Sequence, residues 1–282
     1  MNEALKFLED RTRDGMLPWS VQCAAVNHFG LCHAAVEGLA LAIGLLPARY
    51  QRNRDIIDAE GQARLFSSKV AVIGCGGLGG YIVEELARLG VGQIVAIDPD
   101  VFEEHNLNRQ ILSTTGNLGR AKVEAARLRV EQINPAVTVS AMQDAFGLAN
   151  GAELLTGVTI AVDALDSISY RLELAQVSTE MGIPMVHGAI GGWYGQVATQ
   201  FPGEGTVQEI YRHWVEGKGI EQQLGNPSFT PAVVASLQVA EVCKIILGKG
   251  ELLRGRKLVI DLLEMEVQEI PYDMSLELVR AA

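Results

Sequence analysis

The sequence predicts an α/β fold: a mostly parallel sheet with helices on both faces, an antiparallel C-terminal extension and a helical N-terminal preface. Three observations carry this. From Lys69 onwards, short apolar runs alternate with helical patterns, as in a parallel sheet with right-handed crossovers. A strand, a glycine-rich turn and a helix follow one another in "KVAVIGCGGLG" (69–79). After Gly195 the period switches to the alternation of antiparallel strands in "GQVATQF".

Residues 1–48 form the preface and residues 49–282 the main domain. In the preface, "SVQCAAVNHFGLCHAAVEGLALAIGLL" spaces its apolar residues as helices do, and Pro47 ends it. "KVAVIG" is the first strand. Leu78, Ile82, Leu86 and Leu89 share one face of the next helix, which Gly90 caps. "QIVAID" is the second strand. A helix over about 119–133 stops at Asn134-Pro135. "VTVSA" and "TIAVDAL" read as strands, 168–182 as a helix and "PMVHGAI" as another strand. "GQVATQF" reads as a solvent-facing strand, and 202–229 as loop. Thr230-Pro231 opens a helix that Gly248 closes, with Val233, Ala240, Cys243 and Leu247 as its apolar face and Val234, Leu237, Glu241 and Ile245 as a mixed one. "RKLVIDL" and "EVQEIPY" make a terminal hairpin.

Composition narrows the function. A chain of 282 residues that is 48% hydrophobic can build a large core. Its formal net charge of −11 disfavours nucleic-acid and anionic-membrane partners, which need basic patches. The longest apolar run, 34–46, is too short to span a bilayer. The charged N-terminus is unlike a signal peptide, so a cytoplasmic location is expected. The four cysteines, Cys23, Cys32, Cys75 and Cys243, form no C-x-x-C pair, so no zinc is expected.

Gly74, Gly76 and Gly79 fit G-x-G-x-x-G, in a turn that brings backbone close to a phosphate. Asp98, at the end of the second strand, suits ribose hydroxyls. This much fits NAD, FAD or ATP equally. The segment after it discriminates: "DPDVFEEHNLNRQIL" (98–112) packs Asn106, Asn108, Arg109 and Gln110 together, and Lys122 follows. A pyrophosphate in NAD needs little beyond helix N–H groups. A triphosphate under attack needs cations on its α-phosphate and its leaving group. Nucleotidyl transfer therefore explains the loop better than hydride transfer.

"RYQRN", "GCGGLG", "DPDVFEEHNLNRQ", "GRAK", "INP", "DALDSISYR" and "SLQVAEVCKIILG" stand in an order and spacing that resembles the ThiF/MoeB/HesA family, bacterial relatives of ubiquitin-activating enzymes. The resemblance runs from about Arg49 to about Tyr272. It implies a Rossmann-like sheet that binds ATP and Mg²⁺ and adenylates the C-terminal glycine of a ubiquitin-like sulfur carrier ending in Gly-Gly. It implies a nucleotide-binding set of Gly74, Gly76, Gly77, Gly79, Asp98, Asp100, Asn106, Arg109, Gln110 and Lys122. Catalysis would fall to Arg52, Arg109, Lys122 and Asp166, with Asp166 on Mg²⁺ and Arg52 reaching the neighbouring site of a homodimer. The family's "DATDN" is "DALDS" here, and the zinc cysteines and loop cysteine that many members carry are missing from 204–229. Adenylation is thus expected without a later thioester step. His187 is expected to be a packed polar residue, and Cys75 and Cys243 core residues. A tRNA-base dehydratase of the same family and a non-catalytic carrier-binding module are the alternatives.

Overall fold

A computed structural model describes residues 2–214 and 224–272, so residues 215–223 of the expected loop lie outside the described part. The preface folds as α1 (Asn2–Glu9), α2 (Trp19–Phe29) and α3 (His33–Ala42). Leu8, Leu17, Ala25, Val36 and Ala40 close a small core of its own. A two-residue parallel pairing of β1 (Met16–Leu17) with β2 (Leu46–Pro47) brings the chain to a 3₁₀ turn, Ala48–Asn53, and then α4 (Ala59–Ser67).

The main sheet starts with β3 (Lys69–Ile73), followed by α5 (Gly77–Leu89), β4 (Gln93–Ile97), α6 (Lys122–Ile133) and β5 (Thr138–Met142). One turn of helix, α7 (Gly151–Leu154), leads to β6 (Ile160–Asp163), α8 (Ile168–Glu180) and β7 (Met185–Gly191). Then come β8 (Tyr194–Gln200), α9 (Thr206–Ile210), α10 (Phe229–Leu247), β9 (Arg256–Asp261) and β10 (Glu266–Pro271). The eight strands lie in the order β10-β9-β8-β7-β6-β3-β4-β5. β3 to β7 run parallel, and β8, β9 and β10 continue the sheet antiparallel. Branched apolar residues of β3, β4 and β6 are buried on both faces, as a sheet sandwiched between helices requires. One face packs against α5, α6 and α10, the other against α7 and α8.

Four expectations need correction. β8 is not solvent-facing: Val197 to Gln200 are all buried, because α10 covers one face and α9 with α8 the other. α6 begins at Lys122, since Gly119 turns the chain with a φ of +78°. α9 forms inside the segment read as loop. The buried side of α10 is Val234, Ala235, Gln238, Val239, Glu241 and Val242; Leu247 is buried as expected, whereas Val233 and Ala240 are exposed and Cys243 is half-buried. Buried polar groups explain that inversion. Gln238 donates to the carbonyls of Asp163 (2.8 Å) and Val186 (3.4 Å), and Glu241 accepts from the Thr199 hydroxyl (2.6 Å) and the Leu253 amide (2.8 Å). Both residues satisfy sheet and loop groups that an apolar helix would leave unpaired. α10 is long and apolar enough to cross a bilayer, yet it lies along β7, β8 and α5 as a core helix.

Candidate functional site

The chain reverses its direction of winding between β3 and β6, which opens a crevice at the carboxyl ends of the strands. The glycine turn fills its floor, and there glycine is sterically required. Gly74 has a φ of +97°, and a Cβ on it would stand 2.5 Å from the Ala164 carbonyl oxygen. A Cβ on Gly79 would stand 1.8 Å from the Gly74 oxygen, so Gly79 packs beneath the turn rather than facing a ligand. The start of α5 has no side-chain cap, which leaves its first N–H groups for an anion. The resulting cleft holds about 400 Å³, and Gly74, Gly76, Gly77, Asp98, Asp100, Arg109, Gln110, Lys122 and Asp166 all line it.

Asp98 is only 5% exposed. Its carboxylate accepts the amide of Cys75 at 2.7 Å and that of Asp100 at 2.8 Å, which fixes the acid against the glycine turn. Burial pushes the carboxyl above its ordinary pKa, against the pull of Lys122 and the two amides. Lys122, 6% exposed at the first turn of α6, contacts Asp100 at 2.9 Å and Asp98 at 3.8 Å. A buried ammonium between two aspartates is a charge already desolvated and aimed.

The 98–112 loop is shaped by a 3₁₀ turn, Glu104–Asn106. Asn106 is buried in a capping box: its Oδ1 accepts the Glu103 amide at 2.9 Å, while the Glu103 side chain accepts the Asn106 amide. Asn106 therefore braces the loop and does not line the cleft. Arg109 is half-buried, and its Nη1 donates to Asn108 Oδ1 (2.9 Å) and the His105 carbonyl (3.3 Å). Asn108 in turn donates to the Asn226 carbonyl at 3.1 Å, tying the loop to the segment before α10. Gln110 is buried against Gly76, and its Oε1 has no partner among the described residues.

Asp166 stands exposed at the mouth of the cleft with no hydrogen bond or ion pair among the described residues. The turn beneath it is held firmly. Asp163 accepts the Leu165 amide at 3.0 Å, and Arg171 donates to the Leu165 carbonyl at 2.6 and 3.1 Å. His187 Nδ1 lies 2.6 Å from Asp163 Oδ2. A carboxylate only accepts, so Nδ1 carries the proton. Burial holds this imidazole below its ordinary pKa, opposed by Asp163. His187 is a fully buried brace beneath the site. Arg52 is exposed in the Ala48–Asn53 turn and does not line the cleft of its own chain. Cys75 is fully buried and Cys243 half-buried. Burial raises both thiols, Cys243 to about 11, so neither supplies a thiolate at neutral pH.

Asp144, Phe146, Tyr170, Arg171 and Asn226 also line the cleft and were missed by sequence reasoning. Asp144 follows β5 at its carboxyl end, the position where open α/β sheets place ligand groups, and could have been found by that rule. Asn226 carries no comparable signal.

The cleft fits a nucleotide triphosphate. It offers an acid for ribose, helix N–H groups and two cations for phosphates, and an orphan amide oxygen on Gln110. The donor set also fits Mg²⁺. No three His, Cys, Asp or Glu side chains cluster to cage a metal among the described residues, and Mg²⁺ takes one or two carboxylates with phosphate oxygens and waters.

The chain is 36% identical over 228 residues to the SAMP-activating enzyme E1 of Haloferax volcanii, covering 79% of this chain and 84% of that protein. It is 34% identical to the sulfur carrier protein adenylyltransferase of Thermus thermophilus, covering 79% and 86%. It is 31% identical to the molybdopterin-synthase adenylyltransferase of Haemophilus influenzae, covering 80% and 95%. Among solved structures, E. coli MccB with AMPCPP and MccA shares the fold at a TM-score of 0.67 and 21% identity, covering 89% of this chain and 82% of that one. Residues 50–276 match the ThiF family, and the chain belongs to it.

Proposed function

We propose that this protein uses ATP and Mg²⁺ to adenylate the C-terminal glycine carboxylate of a small ubiquitin-like sulfur-carrier protein, as a homodimer in which Arg52 enters the partner's cleft. One observation carries the reading: a buried acid, a buried lysine, an arginine and an aspartate without a partner among the described residues line one cleft at the uncapped start of α5. The names of relatives, sulfur carrier protein adenylyltransferase and molybdopterin-synthase adenylyltransferase among them, support it. The four free thiols agree with work in the cytoplasm.

Asp98 accepts hydrogen bonds from the ribose hydroxyls. The N–H groups of Gly77 and its neighbours receive the phosphate chain, and the Gln110 amide lies against that turn. Arg109 and Lys122 offset the repulsion between an incoming carboxylate and an anionic phosphate. A carrier carboxylate oxygen bonds to the α-phosphorus, the bond from that phosphorus to the bridging oxygen breaks, and pyrophosphate leaves with the electron pair. No general base is required, because a glycine carboxylate is already ionised at neutral pH. Bound Mg²⁺ would neutralise phosphate charge in the transition state, and Asp166 would hold it. His187 takes no proton from substrate, being sealed beneath the turn it supports.

ATP–pyrophosphate exchange tests the reading. Exchange is expected with Mg²⁺ and a carrier ending in Gly-Gly. Exchange that requires tRNA instead, or ATP binding with no exchange under either condition, would refute it.

A further inference from the structure

The preface is joined to the domain by buried polar contacts as well as by apolar packing. Glu37, on α3, is completely buried, which is costly for a carboxylate without partners. Its partners all lie on or around the Ala48–Asn53 turn. Arg49 Nη1 donates to Glu37 Oε2, and the Tyr50 hydroxyl donates to Glu37 Oε1 at 2.8 Å. The second arm of Arg49 donates to Gln22 Oε1, on α2, at 2.7 Å, and its guanidinium lies over the Trp19 ring. Tyr50 is fully buried. Its oxygen accepts Asn134 Nδ2 at 2.8 Å, and that same amide holds the Ala87 carbonyl at 2.9 Å near the end of α5. Gly90 has no room for a side chain because the Tyr50 hydroxyl occupies that space, 2.3 Å from where a Cβ would sit.

The turn is thus clamped from both sides: by α2 and α3 through Arg49, and by α5 and α6 through Tyr50. Arg52, two residues beyond Tyr50, is held by none of these contacts. Its side chain is exposed and makes no hydrogen bond or ion pair among the described residues. So much buried polarity around six residues is disproportionate if the turn is only a connection.

We infer that the helical preface is a mount for Arg52, with Glu37, Gln22 and Arg49 as positioning residues that set the angle at which that guanidinium leaves the subunit. The inference rests on the shared-site reading above. It gives residues 1–48 a role in the reaction without contact with substrate. A guanidinium that must meet phosphate in another subunit gains from being held before it arrives.

Complementation between co-expressed subunits tests it. Arg52→Ala subunits have an intact cleft but donate no arginine, whereas Lys122→Ala subunits donate Arg52 but have a damaged cleft. Mixing the two restores one complete site in each mixed dimer, about a quarter of the wild-type exchange rate for random pairing in a two-fold dimer. Glu37→Gln is expected to behave as Arg52→Ala does: strongly reduced alone, restored to about that quarter by Lys122→Ala and not by Arg52→Ala. Arg49→Gln, at a side chain 21% exposed, repeats the test should Glu37→Gln fold poorly. In the mixed dimer with Lys122→Ala, the cleft of the Arg49→Gln subunit should bind ATP at the wild-type affinity. Wild-type exchange by both variants alone overturns the inference. So does failure of both to be rescued by Lys122→Ala while Arg52→Ala is rescued, since a merely unstable subunit would behave that way. Failure of Arg52→Ala with Lys122→Ala refutes the shared site itself.

Discussion

Gly79→Ala adds one methyl at a place where the structure has no space for it. The new carbon would stand 1.8 Å from the Gly74 carbonyl oxygen, a backbone atom that no rotamer change can move. Ordinary contact begins near 3.4 Å, so the turn and α5 must part by the difference, about 1.6 Å. Overpacking of this kind costs about 1–3 kcal/mol. In a domain of this size that lowers Tm by about 2–10 °C, short of unfolding it. The function should suffer more. The same separation carries the first N–H groups of α5 off the phosphates, and a misplacement of about 1 Å can cost about 100-fold. The variant should therefore stay folded while ATP affinity and exchange fall about 100-fold, read by calorimetric titration and by pyrophosphate exchange. Gly116→Ala is the control, because its methyl would meet only the Thr114 hydroxyl at 3.9 Å. Gly79→Ala protein that binds ATP as tightly as the parent would show that α5 yields without moving the turn, and the account of this glycine would fail.

ATP affinity should weaken on the acid side at a higher pH than an ordinary aspartate would give. Burial raises the Asp98 carboxyl, and the carboxylate that accepts ribose hydroxyls is lost as pH falls through the raised value, while the linked stability is lost as pH rises through it; a titration of Kd against pH that bends only at about pH 4 contradicts this. Asp166→Asn should leave the unfolding free energy within about 0.5 kcal/mol of the parent's, since the side chain has no partner among the described residues, yet lower exchange by about 100- to 1,000-fold. Loss of Tm without loss of exchange would reverse the assignment. Glu241→Ala strands the Thr199 hydroxyl and the Leu253 amide, and should cost at least about 2 kcal/mol in urea unfolding. Burial keeps His187 neutral, below its ordinary 6.5, so its stabilisation is full above that pH and lost as pH falls through the lowered native value. Tm measured from pH 7.5 to 5.5, both about a unit from that value, should slope less in His187→Asn than in the parent.

Much of the fold was written in local patterns. The glycine turn, the acid at the end of β4 and the strand–helix alternation each depend on neighbours within a few residues, which is what a sequence displays. The clustering of Asp98, Arg109, Lys122 and Asp166 round one cleft needed the resemblance as well as the pattern. What stayed hidden depends on distant partners. Glu241 reads as part of a mixed face of α10, because nothing nearby says that Thr199 and Leu253 wait for it. β8 looks solvent-facing because its alternation ignores the helices that cover both its faces. Asn106 reads as a phosphate ligand from its company, whereas its geometry makes it a cap. Arg171 stood inside a quoted motif, but its grip on the Leu165 carbonyl needs a turn that only the folded chain forms.

The contact made by Gln238 has a wider meaning. Its amide reaches the main chain of two neighbouring strands, Asp163 in β6 and Val186 in β7, over Gly188, where a Cβ would come within 2.3 Å of that amide. A slip of α10 by one residue would swing the group about 100° off the sheet. The long helix is therefore pinned lengthwise as a bolt is by a cotter. Its outer surface is free to drift in composition from one descendant to another, while insertions or deletions along its length are barred.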